Sequence, residues 1–287
     1  MKMTNIKMSF LTLILSIYFS SPLSASVNLS VLLTNDDGIN SPGLKALSKE
    51  LRDAGHRLTV VAPADQQSGG GMKVTLGKSL KVEKMAAEDD TWSVDGSPAD
   101  AVLVGLGTIM KDRKVDLVIS GPNFGQNLGT NVFLSGTVGA AMTAVLQGIP
   151  AVALSVGINL DESRSQPDRF PSTLASFEPA SKFLVSKLEK WFQNPSSQVI
   201  PPYSLVNINY PEVGKRSIKG VKWIEAGKLG GFSLDYRSNV SDTVEVLISE
   251  NETTDPSAKD LGFFNQGYVT LSILSPNWNV LKSLYSF

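Results

Sequence analysis

The sequence predicts an α/β fold, Rossmann-like, with a mostly parallel sheet, helices on both faces, and a C-terminal hairpin arm and tail. Three observations carry this. Short apolar runs alternate with helix-patterned segments at the spacing of strand–helix–strand units. Several of these runs are apolar at consecutive positions, as strands buried on both faces require. Their ends fall at polar loops rich in Gly, Pro and Asn, where chains in open parallel sheets turn toward a ligand rim.

Residues 27–34 are an apolar run with β-branched and Leu side chains, interrupted by Asn28 and Ser30 and ending at Asn35-Asp36-Asp37-Gly38. A helix pattern follows over 42–54, with Pro42 in its first turn and Gly55 closing it. Residues 58–62 read as a second strand stopped by Pro63, and 115–120 as a third that ends at Gly121-Pro122-Asn123. Residues 136–148 are small and helical, and 151–155 are the next strand. Helical spacing returns over 179–192, and 205–208 form a strand before Pro211. Residues 232–249 alternate apolar and polar side chains, which suits an extended hairpin arm better than a core strand. A late strand over 267–274 leads into a tail carrying Trp278 and Tyr285. No repeat, low-complexity block or long linker divides the chain, so residues 26–287 read as one domain, with the arm at about 232–249 and the tail at about 267–287.

Composition narrows the chemistry. The 287 residues are 42% hydrophobic and 18% charged, an ordinary globular balance, and 26 Lys and Arg against 27 Asp and Glu leave no basic footprint for a nucleic-acid duplex. The absence of Cys excludes thiol nucleophiles, cysteine zinc sites, iron–sulfur clusters and disulfides. A single His, His56, excludes His-based triads and zincins; lying between a helix end and a strand, it reads as a surface cap residue. Chemistry must then run on carboxylates, hydroxyls, amides, backbone N–H groups and an oxygen-liking metal.

Residues 1–25 read as a signal peptide: Lys2 and Lys7 with no acid, an apolar run over 8–19, then small residues through Ala25 and Ser26. The run is shorter than the ~20 residues of a comfortable membrane span. The expectation is cleavage after Ala25 or Ser26, export to the periplasm or medium, and no stable membrane insertion afterwards; an uncleaved anchor is the competing reading.

Three loops stand out. Adjacent Asp36 and Asp37 repel each other, and a divalent cation relieves that cost; a turn with an N-cap uses the same residues. Ser68 lies in the Gly-rich stretch Ser68-Gly69-Gly70-Gly71, and Asn123 offers an amide oxygen at the third strand end. Carboxylate, hydroxyl and amide oxygens suit Mg²⁺ or Mn²⁺, although loop flexibility also accounts for the glycines. Ser135-Gly136-Thr137 opens the small-residue helix with free N–H groups and two hydroxyls, an arrangement that serves as a phosphate site or as an ordinary N-cap. Two near misses carry no nucleotide cofactor: residues 71–79 have the wrong spacing for a P-loop, and Met110 stands where a dinucleotide fingerprint needs its third Gly.

Read together, these residues resemble the SurE family of survival-protein-E 5′/3′-nucleotidases. The resemblance runs through Leu33-Thr34-Asn35-Asp36-Asp37-Gly38, Ser41-Pro42-Gly43, Val60-Val61-Ala62-Pro63, Ser68-Gly69 and Gly96-Ser97-Pro98-Ala99-Asp100. It continues in order through residues 120–129, 135–141 and Val206-Asn207-Ile208-Asn209-Tyr210-Pro211. It implies one divalent metal ion on Asp36, Asp37, Ser68 and Asn123, and phosphate held by Asn127, Ser135, Gly136 and Thr137. It also implies hydrolysis of nucleoside monophosphates with Asp36 and Asp37 as the catalytic pair, and a homodimer or homotetramer assembled through the arm and tail. The chain departs from the family at Gly70, Gly71 and Met72, at Thr130-Asn131, and at Leu134, where a Tyr is common. Two other readings remain: a haloacid-dehalogenase-like phosphatase, which needs one residue between its two Asp, and an exported nucleotide- or phosphate-binding protein without turnover.

Overall fold

The computed structural model describes residues 27–85, 90–165, 169–193, 199–214, 217–238 and 242–277. The leader over 1–25 and the tail end with Trp278 and Tyr285 lie outside the described residues. The chain runs through β1 (Ser30–Thr34), α1 (Pro42–Asp53), β2 (Arg57–Pro63), β3 (Val82–Lys84), β4 (Thr91–Val94), α2 (Pro98–Val104), β5 (Leu117–Phe124) and α3 (Gly136–Leu146). It continues through β6 (Ala151–Val156), α4 (Pro171–Phe192), β7 (Leu205–Tyr210), β8 (Gly220–Trp223), β9 (Phe232–Ser238), β10 (Val244–Glu250), α5 (Asp260–Asn265) and β11 (Tyr268–Leu274).

Nine strands form one sheet in the order β3-β4-β2-β1-β5-β6-β7-β11-β8. From β4 to β7 neighbouring strands are parallel, whereas β3 and β11 join antiparallel to β4 and β7. Helices cover both faces, and β1 shows why Val31, Leu32 and Leu33 are apolar in succession. Val31 and Leu33 pack in the layer of Leu44, Leu47 and Leu51 of α1 with Phe177, Leu184 and Leu188 of α4. Leu32 faces the other way, into the layer of Ala101 and Val102 of α2 with Ala140, Ala141 and Ala144 of α3. Leu32 is completely buried, a position where truncation to Ala costs roughly 2–5 kcal/mol.

Several expectations change in detail. Strand β5 does not stop at Ser120 but runs to Phe124, with a register shift against β6 between Ser120 and Asn123. Gly121 permits this: its φ is +120°, and a Cβ there would stand 2.1 Å from the Leu154 carbonyl oxygen. Helix α4 begins at Pro171, leaving Pro179 inside it. Its first turns bury hydroxyls in place of apolar side chains, which hides the helical pattern. Ser176 Oγ donates to the Ser172 carbonyl at 2.7 Å and accepts from the Val213 N–H at 2.7 Å.

His56 is not a surface cap. It is 6% exposed, and its Nδ1 accepts the Leu29 N–H at 3.2 Å. Gly55, with φ +83°, turns the chain sharply after α1 and folds the imidazole beneath the start of β1, where burial pushes its pKa down. The arm is the antiparallel pair β9–β10, in register from Phe232–Glu250 to Ser238–Val244, with Leu234, Tyr236, Val244, Val246 and Ile248 exposed. Among the described residues no helix is long and apolar enough to cross a membrane.

Candidate active site at the carboxyl rim of the sheet

The turn after β1 is closed by the buried Asn35, whose Nδ2 donates to the Gly38 carbonyl at 3.0 Å and to Ser41 Oγ at 2.7 Å. That turn holds both aspartates at the rim. Asp36 is 3% exposed; Thr137 grips its carboxylate through the side-chain hydroxyl and the backbone N–H. Asp37 Oδ2 accepts the Phe124 N–H at 2.9 Å, a donor delivered by the extension of β5. Burial raises the pKa of Asp36, and burial followed by the charge of Asp36 pushes Asp37 up to about 7.

The remaining loops are tied to the same turn. The Asp36 carbonyl accepts the Gln67 N–H at 2.7 Å, which anchors the Ser68 loop, and the Gly71 N–H donates to the Leu134 carbonyl at 3.1 Å. Close approach explains the small residues of α3. A Cβ on Gly136 would stand 2.8 Å from the Asp36 side chain, and one on Gly139 would stand 2.2 Å from the Gly71 carbonyl oxygen. Ser135 caps α3, its hydroxyl accepting the Val138 N–H at 3.0 Å.

Asn123 donates through Nδ2 to the Gly125 carbonyl at 2.6 Å, which sets its amide oxygen as the end left for a ligand. Asn127 is built into a buried amide network. Its N–H donates to Asn209 Oδ1 at 2.7 Å and its Nδ2 to Ser155 Oγ at 2.8 Å; its carbonyl accepts from Asn207 at 2.9 Å and Asn209 at 3.1 Å.

Asp36, Ser68, Asn123, Asn127 and Ser135 line one cavity of about 310 Å³. Gly136 and Thr137 lie directly behind Asp36, so the Thr137 hydroxyl is engaged with a carboxylate and fully buried. Asp37 lines an adjoining cavity of about 740 Å³. Gln66, Phe124 and Ile158 border both cavities. All eight residues singled out in the sequence therefore surround the Asp36-Asp37 turn.

The donor set fits a hard divalent cation. Among the described residues no Lys, Arg or His lines the Asp36 cavity, so the buried Asp36 carboxylate is uncompensated by the chain's own cations there. Among the described residues no group of three or more His, Cys, Asp and Glu gathers to hold a metal. Hydroxyl and amide oxygens, here Ser68 and Asn123, must then complete any coordination, as Mg²⁺ or Mn²⁺ accepts.

Fold and site together define an α/β enzyme that works at the carboxyl rim of a parallel sheet with paired carboxylates. The chain belongs to the SurE family: the family model "Survival protein SurE" matches residues 31–230. It is 36% identical over 209 residues to the 5′-nucleotidase SurE of Paramagnetospirillum magneticum, covering 72% of this chain and 73% of that protein. It is 33% identical over 255 residues to the 5′-nucleotidase SurE of Clostridium beijerinckii, covering 86% and 92%. The crystal structure of the SurE protein from Aquifex aeolicus superposes with a TM-score of 0.71 at 32% identity, over 89% of this chain and 98% of that one.

Sequence reasoning missed part of the site. Phe232, Ile248 and Glu250 at the root of the arm, with Leu134, Ile158 and Leu160, wall the Asp36 cavity. Glu250 accepts the Leu160 N–H at 3.2 Å, linking the arm to the loop after β6. No local pattern marks these residues, because the arm is about a hundred positions from α3 and meets the site only through the fold. Asn207 and Asn209 were legible as a motif but carried no role until their partner was visible.

Proposed function

We propose that this protein is a divalent-metal-dependent phosphomonoesterase that hydrolyses nucleoside monophosphates at the Asp36-Asp37 rim. The Asp36-Asp37 pair beside the first turn of α3, with Asp36 buried in a cavity that no cationic side chain lines among the described residues, is the observation that carries the reading. The printed name of the relatives, 5′-nucleotidase, supports the substrate class.

Asp36, Asp37, Ser68 and Asn123 are the residues that would hold one Mg²⁺ or Mn²⁺. When bound, such an ion supplies positive charge against the phosphate and lowers the pKa of a water molecule. The chain's own residues do the rest. Thr137 and the Phe124 N–H fix the two carboxylates in direction, so that little reorganisation accompanies the reaction. Ser135 and Asn127 line the phosphate side, where a helix N-terminus favours negative charge, with Gly136 and Thr137 directly behind Asp36. One aspartate of the pair accepts the proton of the attacking water. Leu134, Leu160, Phe232 and Ile248 give the cavity an apolar wall.

The test is phosphate release by the purified mature protein from 5′-AMP and 3′-AMP, before and after chelation and after adding back Mg²⁺ or Mn²⁺. Release that is abolished by chelator and restored by metal is the expected result. Undiminished release in chelator rejects the metal, and AMP binding without release rejects the enzyme.

The same proposal includes assembly and location. The exposed apolar residues of β9–β10 suit pairing with another copy of the chain in a dimer or tetramer, since an isolated two-stranded ribbon is marginal in water. The leader over residues 1–25 supports an exported enzyme beginning near Ser26. N-terminal sequencing of protein from fractionated cells tests this; Met1 retained on soluble cytoplasmic protein rejects it.

A further inference from the structure

The cavity on the Asp37 side holds features that phosphate chemistry does not use. At about 740 Å³ it is more than twice the size of the Asp36 cavity and within the range of small-molecule sites. Phe124, Phe170 and Arg169 contribute a cationic–aromatic platform. The Arg169 guanidinium carbon lies 5.3 Å from the Phe170 ring centroid, and its Nε is anchored by donating to the Ser163 carbonyl at 2.8 Å. Phe170 meets Phe124 edge-on at 5.5 Å between centroids, and Phe124 meets Phe177 at 5.6 Å, so the platform is backed by the core. Asn40, Asp65 and Gln66, from the loops after β1 and β2, supply polar groups to the same cavity.

A guanidinium lying over an aromatic ring, with a few hydrogen-bonding side chains around it, is the chemistry that holds a nucleobase. The location fits as well. Gln66, Phe124 and Ile158 border both cavities, so an ester whose phosphate sits by Asp36 and Ser135 reaches the platform directly past Asp37. The arm-side cavity is smaller, is lined by Asp36, Ser68, Asn123, Asn127 and Ser135, and among the described residues has no cationic side chain.

We propose that the Asp37-side cavity is the nucleoside subsite, with the base on the Arg169–Phe170–Phe124 platform and its polar edge met by Asn40, Asp65 or Gln66. This rests on the phosphomonoesterase reading above and adds where the leaving group lies. It makes Arg169 and Phe170 determinants of preference for nucleotides over simple phosphate esters.

The experiment compares AMP with ribose 5-phosphate, which shares the reacting phosphate but lacks the base. The proteins are the wild type, Arg169→Ala, Phe170→Leu and, on the other wall, Ile248→Ala, each checked for an unchanged thermal midpoint. For Arg169→Ala the expected result is a rise in KM for AMP of about tenfold, the scale of one base–side-chain stack. Its kcat should stay within about twofold, and ribose 5-phosphate kinetics should not change. Phe170→Leu, which keeps apolar volume, should move in the same direction. Equal losses on both esters, or an unchanged KM for AMP, would overturn the subsite; so would a selective loss of AMP in Ile248→Ala alone. If the wild type releases phosphate from neither ester, the hydrolytic reading fails separately. The subsite is then scored by AMP affinity in calorimetry, where weaker binding in Arg169→Ala supports it and an unchanged Kd overturns it.

Discussion

Replacing Asp37 with Asn should make the metal-free protein more stable at neutral pH, even though it removes a residue of the site. Burial and the adjacent Asp36 push the Asp37 carboxyl from 3.8 to about 7. A carboxyl raised in the folded state holds its proton there after the unfolded chain has released it. Stability is therefore greatest below the unfolded value and falls as pH rises toward the folded one. Between pH 5 and pH 7 the loss is about 2–3 kcal/mol, and Asp36, also raised by burial, adds to it with the same sign. Asp90, Asp100 and Asp116 have lowered pKa values and lose their contribution only at more acidic pH. His56, lowered by burial from 6.5, acts with the opposite sign inside the window from pH 5 to 8 and Asp260, raised by burial, with the same sign, so the pair is read from the difference between wild type and Asp37→Asn, in which both cancel.

Asn at position 37 keeps an oxygen to accept the Phe124 N–H and carries no charge. At pH 7.5, without metal, its thermal midpoint should exceed that of the wild type by about 4–12 °C, taking about 2–4 °C per kcal/mol for a chain of this size. Mg²⁺ or Mn²⁺ should raise the wild-type midpoint and leave the variant nearly unmoved. The assay is scanning calorimetry at several pH values, with chelator and with metal. A stability difference between metal-free wild type and Asp37→Asn that is flat from pH 5 to 8, or an Asp37→Asn variant that is less stable at pH 7.5, would refute the reasoning.

Asp36→Asn should leave the fold intact while lowering turnover of AMP by about a hundredfold or more, as loss of a metal ligand or base does; circular dichroism and kinetics at matched metal concentration check it. Gly139→Ala drives a Cβ against the Gly71 carbonyl and should cost about 1–3 kcal/mol in urea unfolding while displacing the Ser68 loop, with near-native stability arguing against that contact. Asn209→Ala leaves the buried Asn127 N–H without its acceptor and should destabilise by about 1–3 kcal/mol, with a smaller Asn207→Ala effect, in the same measurement. Val246→Asp on the exposed arm should shift light-scattering mass from dimer or tetramer toward monomer; an unchanged mass would exclude β10 from the interface.

The sequence by itself determined the sheet and much of the rim. Runs such as 27–34 and 151–155, short and bounded by turn residues, suit strands buried on both faces, because consecutive apolar side chains point to opposite sides of a sheet. Their polar ends then mark the ligand edge, so Asp36, Asp37, Ser68, Asn123 and Ser135 were legible as residue types at strand and helix ends. What the sequence could not supply is which groups hold which.

Only the tertiary structure decided that Thr137 grips Asp36 from 101 positions away, that the Phe124 N–H reaches Asp37 across 87, and that Asn209 carries Asn127 across 82. It decided too that β5 extends past Ser120, because the room for Gly121 is set by Leu154 on the neighbouring strand. His56 went inside for a similar reason: the chain direction after Gly55 is fixed by packing against Leu29, not by the polarity of the residue. Local patterning reports which face of an element is apolar. Long-range pairing, register and close approach depend on atoms contributed by distant segments, and those meet only once the chain has folded.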